Sequence, residues 1–227
     1  MPAPDDATAA RLPGRLREAR ANDTAVLDAA RELFSEQGNA VSMADIARRA
    51  GVGVGSVYRR YPTKDALVDA LRLEGVRDVA RLAASIADAL DAAGGSTPRE
   101  PRGPGAVETF VARHITGARG PMLRPTGARR PLSPELAAAS EELRAALERL
   151  VAHDRSARLV PEGFTTADAM QLLVHLRPPL PYPRAQVDAL HLRYLALVVR
   201  GLREAAHEGT TLEGGPRWDE WVGTWQD

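Results

Sequence analysis

The sequence predicts an all-α protein: an N-terminal three-helix helix-turn-helix unit followed by a larger C-terminal helical domain. Three observations predict it. Apolar residues return at three- and four-residue spacing in most segments from Val26 to Leu202, and no segment alternates as a half-buried strand would. Gly- and Pro-rich stretches, such as 94–105 and 178–183, separate the periodic segments. Helix-start signatures precede several of them, above all Ser42-Met43-Ala44-Asp45.

The elements follow in order. Residues 1–21 combine Ala, Pro and charge without a sustained apolar period, so they read as a flexible arm made basic by Arg11, Arg15, Arg17 and Arg20. Val26, Leu27, Ala30, Leu33 and Phe34 define a first helix, with Asn22 or Asp23 as cap and Gly38 as a left-handed stop. Ser42 and Asp45 open a second helix carrying Ile46, Ala47 and Ala50, which Gly51 closes. A third, Val54 to Tyr61, is stopped by Pro62. Thr63 caps a long fourth helix from Lys64 to about Ala93. Further helices are predicted from Ala106 to about Thr116, Pro134 to about Arg158, Thr165 or Thr166 to Arg177, and Arg184 to Glu208. Residues 117–133 are broken by Gly and Pro. The tail 209–227 holds all three tryptophans and takes no assignment. The domains are therefore placed at 1–21 (arm), 22–67 (helix-turn-helix), 68–208 (helical) and 209–227 (tail).

Composition narrows the chemistry. The 227 residues balance 30 basic against 30 acidic side chains, so attraction for a polyanion must be local. There is no cysteine, which removes disulfides, thiolate metal sites and cysteine nucleophiles. No apolar run approaches the roughly 18 residues that span a bilayer. The N-terminus lacks a signal-peptide core, and a soluble cytoplasmic protein is expected. Lys64 is the only lysine in an arginine-rich chain.

The segment 42–61 carries the functional signal. A helix that enters a major groove about 12 Å wide needs small, polar or basic groups on its outer face and a short turn before it. Ile46, Ala47, Val52 and Val57 can lock against Leu33 and Phe34, which turns Val54, Gly55, Ser56, Tyr58, Arg59 and Arg60 outward. Between residues 11 and 64 there are ten basic and six acidic residues, a surplus of four in a neutral chain.

Arg31-Glu32-Leu33-Phe34-Ser35-Glu36-Gln37-Gly38, followed by the run from Ile46 to Leu67, resembles the tetracycline-repressor (TetR) family over about 26–71. The likeness includes Ala30, Gly51, Val52, Gly55, Tyr58, Tyr61 and Lys64 in family order and spacing. It implies a DNA-binding transcriptional regulator that reads double-stranded operator DNA. Ser42, Met43, Val54, Gly55, Ser56, Tyr58, Arg59 and Arg60 are implied at the DNA, with Lys64 at a phosphate. It also implies repression relieved by a small-molecule effector in the C-terminal domain, and a homodimer through 166–177 and 184–208. Two departures stand out. Gly53 replaces a Ser or Thr that would cap the third helix, and Arg60-Tyr61 replaces a common His-Phe pair.

Other features carry less. His114, His153, His175, His191 and His207 are scattered without zinc spacing, so neither a metal nor a cofactor is expected. Gly51–Gly55 lacks the preceding strand and the Lys-Ser end of a phosphate loop, so it is a turn. No nucleophile elbow or triad points to an enzyme. Tyr194, Leu197, Val198, Gly201 and Leu202 form an apolar stripe suited to a core or to the implied dimer. His175 and Arg177, beside the proline run, are candidates to admit an anionic effector group; the pocket residues are otherwise unassigned. The rival function is a protein–protein or ligand-binding module that kept the fold without reading DNA, and Gly53 is its only support.

Overall fold

The computed structural model describes residues 14–93, 103–117, 132–178 and 180–224. It divides into two compact units, the first reaching Leu71 and the second beginning at Arg72. Nine α-helices occur among the described residues, which contain no strand beyond an isolated bridge between Glu162 and Thr211.

The first unit holds α1 (Gly14–Gln37), a 3₁₀ turn (Gly38–Ala40), α2 (Met43–Ala50), α3 (Val54–Arg60) and the start of α4 (Lys64–Ala92). The first helix starts at Gly14, eight positions before the predicted Asn22, because 15–21 consists of good helix formers. Asn22 and Asp23, the predicted caps, lie inside it. Arg11 and the side chains of Arg15, Arg17 and Arg20 lie outside the described residues. Gly38 makes the left-handed stop at φ 59°. Ile46 and Leu67 are wholly buried, and Val57, Leu33, Phe34 and Val41 nearly so. Each such side chain contributes about 1.5–3 kcal/mol of burial.

The second unit contains the remainder of α4, then α5 (Ala106–Gly117), α6 (Pro134–Ser156), α7 (Thr166–Leu176), α8 (Arg184–His207) and α9 (Trp218–Gly223). Phe110, Ile115, Leu143, Leu147, Leu150 and Leu173 make its core. Small residues complete it: Ala83 and Ala87 of α4 are buried beside Ile86.

Caps define the helix starts. Ser133 accepts from Leu136 N–H, with Pro134 in the first turn. Thr165 and Asp168 form a capping box. The start of α5 is capped from a distance: Asp154 of α6, 1% exposed, accepts from Ala106 N–H at 2.7 Å and Val107 N–H at 2.9 Å. Gly105 makes room for it, since a Cβ there would stand 2.7 Å from Asp154 Oδ2.

The unassigned tail folds back. Leu212 N–H donates to the Glu162 carbonyl at 2.8 Å and Thr165 Oγ1 to the Pro216 carbonyl at 3.2 Å. Gly163, at φ 83°, lets Leu212 pass where a Cβ would meet its carbonyl at 2.1 Å. Trp221 is buried against Trp218, ring centroids 5.0 Å apart. Trp225 and the segments 94–102 and 118–131, placed in loops or broken helix from the sequence, lie outside the described residues.

Candidate nucleic-acid interface

The helix-turn-helix is built by local chemistry. Ser42 Oγ accepts from Asp45 N–H at 3.1 Å, and Asp45 Oδ2 accepts from Ser42 N–H at 3.3 Å, completing the predicted box. Hydrogen bonds from Ser42 and then Arg48 hold the Asp45 carboxyl below its usual pKa. At the other end Gly51 is left-handed, φ 70°. Its N–H reaches the Arg48 carbonyl and Val52 N–H the Ala47 carbonyl, a Schellman closure. Two residues later α3 begins. Its cap is Gly53, which offers no side-chain acceptor, so the departure noted in the sequence is a missing cap bond. Tyr61 closes α3 and Pro62 follows. Thr63 Oγ1 then accepts from Ala66 N–H at 3.0 Å at the start of α4.

This frame sorts the side chains. Val57 points inward at 1% exposure, while Val54 and Tyr58 stand outward at 45% and 50%. Gly55, Ser56, Arg59 and Arg60 are also exposed. Arg59 donates to Ser56 Oγ at 3.2 Å and forms no ion pair among the described residues. Arg60 pairs with Asp23 of α1. Lys64 is half-buried, its ammonium 5.4 Å from the Phe34 ring centroid.

Two of the candidate positions have side chains that are buried or already bonded within the unit. Met43 is 5% exposed and belongs to the core, since the first turn of α2 faces inward there. Ser42 is exposed, but its hydroxyl is engaged with Asp45. Residues outside the predicted set hold the unit together. Arg49 donates to Glu32 at 2.9 Å and Glu36 at 3.2 Å, clamping α2 on α1. Tyr61 donates to Asp23, and burial, then that bond, raises the pKa of its hydroxyl. No local pattern marks Asp23, because its partners lie 37 and 38 residues away.

In the second unit Arg177 enters the interior, and its Nη1 donates to His114 Nε2 at 3.0 Å. Burial first, and the Arg177 charge second, push His114 down to about 4. Arg184 donates to the carbonyls of Ile115 and Thr116 at the end of α5, and to Asp188. His175 is instead exposed, bonded to the Gln171 carbonyl of its own helix. Val107, Leu172, Leu195 and Leu202 line a small separate cavity with Glu108 and Arg203.

A short helix with an exposed small, polar and basic face, set by a glycine turn against two buried supports, defines a helix-turn-helix DNA-binding protein. Residues 26–71 match the family model described as bacterial regulatory proteins, tetR family. A TetR transcription regulatory protein from Mycobacterium vanbaalenii shares 29% sequence identity and a TM-score of 0.55, over 84% of this chain and 99% of that one. A structure described as a TetR-family transcriptional regulator, from Mesorhizobium loti, shares 18% identity and a TM-score of 0.48, over 81% of this chain and 96% of the other. Residues 26–71 thus carry the tetR-family regulatory domain, and the chain is a DNA-binding transcriptional regulator similar to TetR proteins.

Proposed function

We propose that the chain is a repressor that binds a pseudo-palindromic operator as a homodimer and is released when a small molecule occupies its C-terminal domain. The observation that carries this is the outward face of α3. Val54 can meet a thymine methyl, Ser56 and Tyr58 can bond bases or phosphates, and Arg59 can reach a guanine edge or a phosphate. Gly55 adds no side chain between the backbone and the groove. Ser42 and Lys64 flank this face, at the start of α2 and of α4.

The dimer is assigned to α7 and α8, where Tyr194 and Leu197 stand 55% and 56% exposed and Gly201 lies a turn further on. Two copies would set two α3 helices into successive major grooves about 34–36 Å apart. An effector that binds one arrangement of the readers better than another shifts the population away from the DNA-binding form. The DNA-binding domain is placed at 22–67, the effector and dimer domain at 68–208, and the site of action in the cytoplasm with the chromosome.

Selection from random-sequence duplex DNA, followed by mobility shift, tests the proposal. A recovered two-fold-symmetric site bound at modest salt is expected. Failure to enrich any sequence would leave the module that kept the fold without DNA reading. Reporter expression with and without the chain then decides the sign of regulation.

A further inference from the structure

The C-terminal end of α3 is tied to the first helix through one carboxylate. Asp23 of α1 accepts from Arg60 Nε at 3.2 Å and Arg60 Nη2 at 3.3 Å, one bond on each oxygen. Its Oδ1 also accepts from the Tyr61 hydroxyl. The Arg60 guanidinium lies 5.8 Å from the centroid of the Tyr61 ring.

Three features set this apart from an ordinary surface pair. Two guanidinium donors on two carboxylate oxygens is the arrangement arginine also offers to phosphate. The Asp23 side chain is 27% exposed and that of Arg60 68%, so the anion is the fixed partner. Tyr61 is 5% exposed, and without Asp23 its hydroxyl would lose this acceptor in a largely desolvated place. Among the described residues the neighbouring Arg59 has no such carboxylate partner and donates to the Ser56 hydroxyl.

We propose that Asp23 is a positioning residue for DNA binding. It takes the place of a phosphate at Arg60, fixes the end of α3 against α1, and withholds the Arg60 charge from the DNA backbone. The two adjacent arginines therefore divide the work: Arg59 meets DNA, and Arg60 orients the helix that carries it. The inference rests on α3 being the helix that contacts DNA.

Fluorescence anisotropy across a salt series tests it on two labelled duplexes, one selected by the wild-type chain and one of scrambled sequence. Each phosphate contact adds about 0.9 to the slope of log affinity against log salt. Arg59→Ala should lower that slope by about one contact. Arg60→Ala should leave it unchanged and reduce the preference for the selected duplex about two- to fivefold, the range of a partly exposed ion pair. Asp23→Asn should free Arg60 and steepen the slope by about one contact on both duplexes, while also reducing preference. Tyr61→Phe, which keeps the buried ring, should reduce preference at constant slope. A shallower slope in Arg60→Ala overturns the proposal, as does an Asp23→Asn slope equal to wild type. If no sequence is selected, the repressor proposal fails, and the slopes on the scrambled duplex still decide this one.

Discussion

At the scale of residues, two buried polar groups carry definite energetic expectations. The pKa of His114 falls from 6.5 to about 4 in the folded chain. Between those values the unfolded chain takes up a proton that the folded chain excludes. The contribution of His114 is therefore complete above about pH 6.5, declines as pH falls through that window, and loses nothing further below about pH 4. The shift corresponds to on the order of 3 kcal/mol. His114→Gln keeps an acceptor for Arg177 and removes the titration. Urea unfolding across this pH range should give a flatter profile for the variant, and parallel profiles would refute the assignment. Asp154 satisfies two buried N–H groups at the start of α5. Asp154→Ala should cost about 3 kcal/mol, and Asp154→Asn less because one acceptor remains. Equal losses in denaturant titrations would show that the cap is not the source.

At the scale of elements, α3 is the least supported helix of the reading unit. It has seven residues and no side-chain cap. A Cβ at Gly53 meets nothing nearer than Ser56 Oγ at 4.0 Å, and its φ of −67° suits any L-residue. Gly53→Ser should therefore stabilise the chain by a few tenths of a kcal/mol, the typical gain of serine over glycine at a cap. It should also tighten DNA binding if the hydroxyl reaches a phosphate. Thermal melts separate the first effect and anisotropy the second. Gly51 behaves oppositely: at φ 70° a side chain is strained even in open space. Gly51→Ala should lower stability by about 1 kcal/mol. An unchanged melting temperature would contradict the left-handed turn.

At the scale of the whole molecule, the stripe on α8 divides. Val198 and Leu202 pack against the core of the second unit, whereas Tyr194 and Leu197 face outward. Outward apolar side chains of this size are what an isologous helix interface buries. Leu197→Arg would place two charges against each other across the proposed two-fold axis. Sedimentation should show a dimer for wild type and a monomer for the variant, with binding to a two-half-site duplex weakened and the melting of the monomer unit retained. A variant that remains dimeric would move the interface elsewhere.

Much of this was legible in the sequence because its causes are local. The Ser42–Asp45 box, the Gly51 turn, the Pro62 stop and the Thr165 cap each depend on residues a few positions apart, and periodicity placed Ile46, Val57 and Leu67 inside. The outward set on α3 followed from the same periodicity. Long-range partners were not legible. Asp23 carries no mark of its role in holding Arg60 and Tyr61, and Asp154 none of its role at a helix 47 and 48 residues before it. Met43 reads as a helix-start residue and is core; Ala83 and Ala87 are core despite their small size; the tail acquires its place from Gly163 and Trp221. Spacing, capping chemistry and turn residues thus determined an all-α chain with a helix-turn-helix and the face it turns outward. Only the tertiary structure decided which charges on that face are held by the protein itself, because an ion pair between distant helices depends on where both helices come to rest.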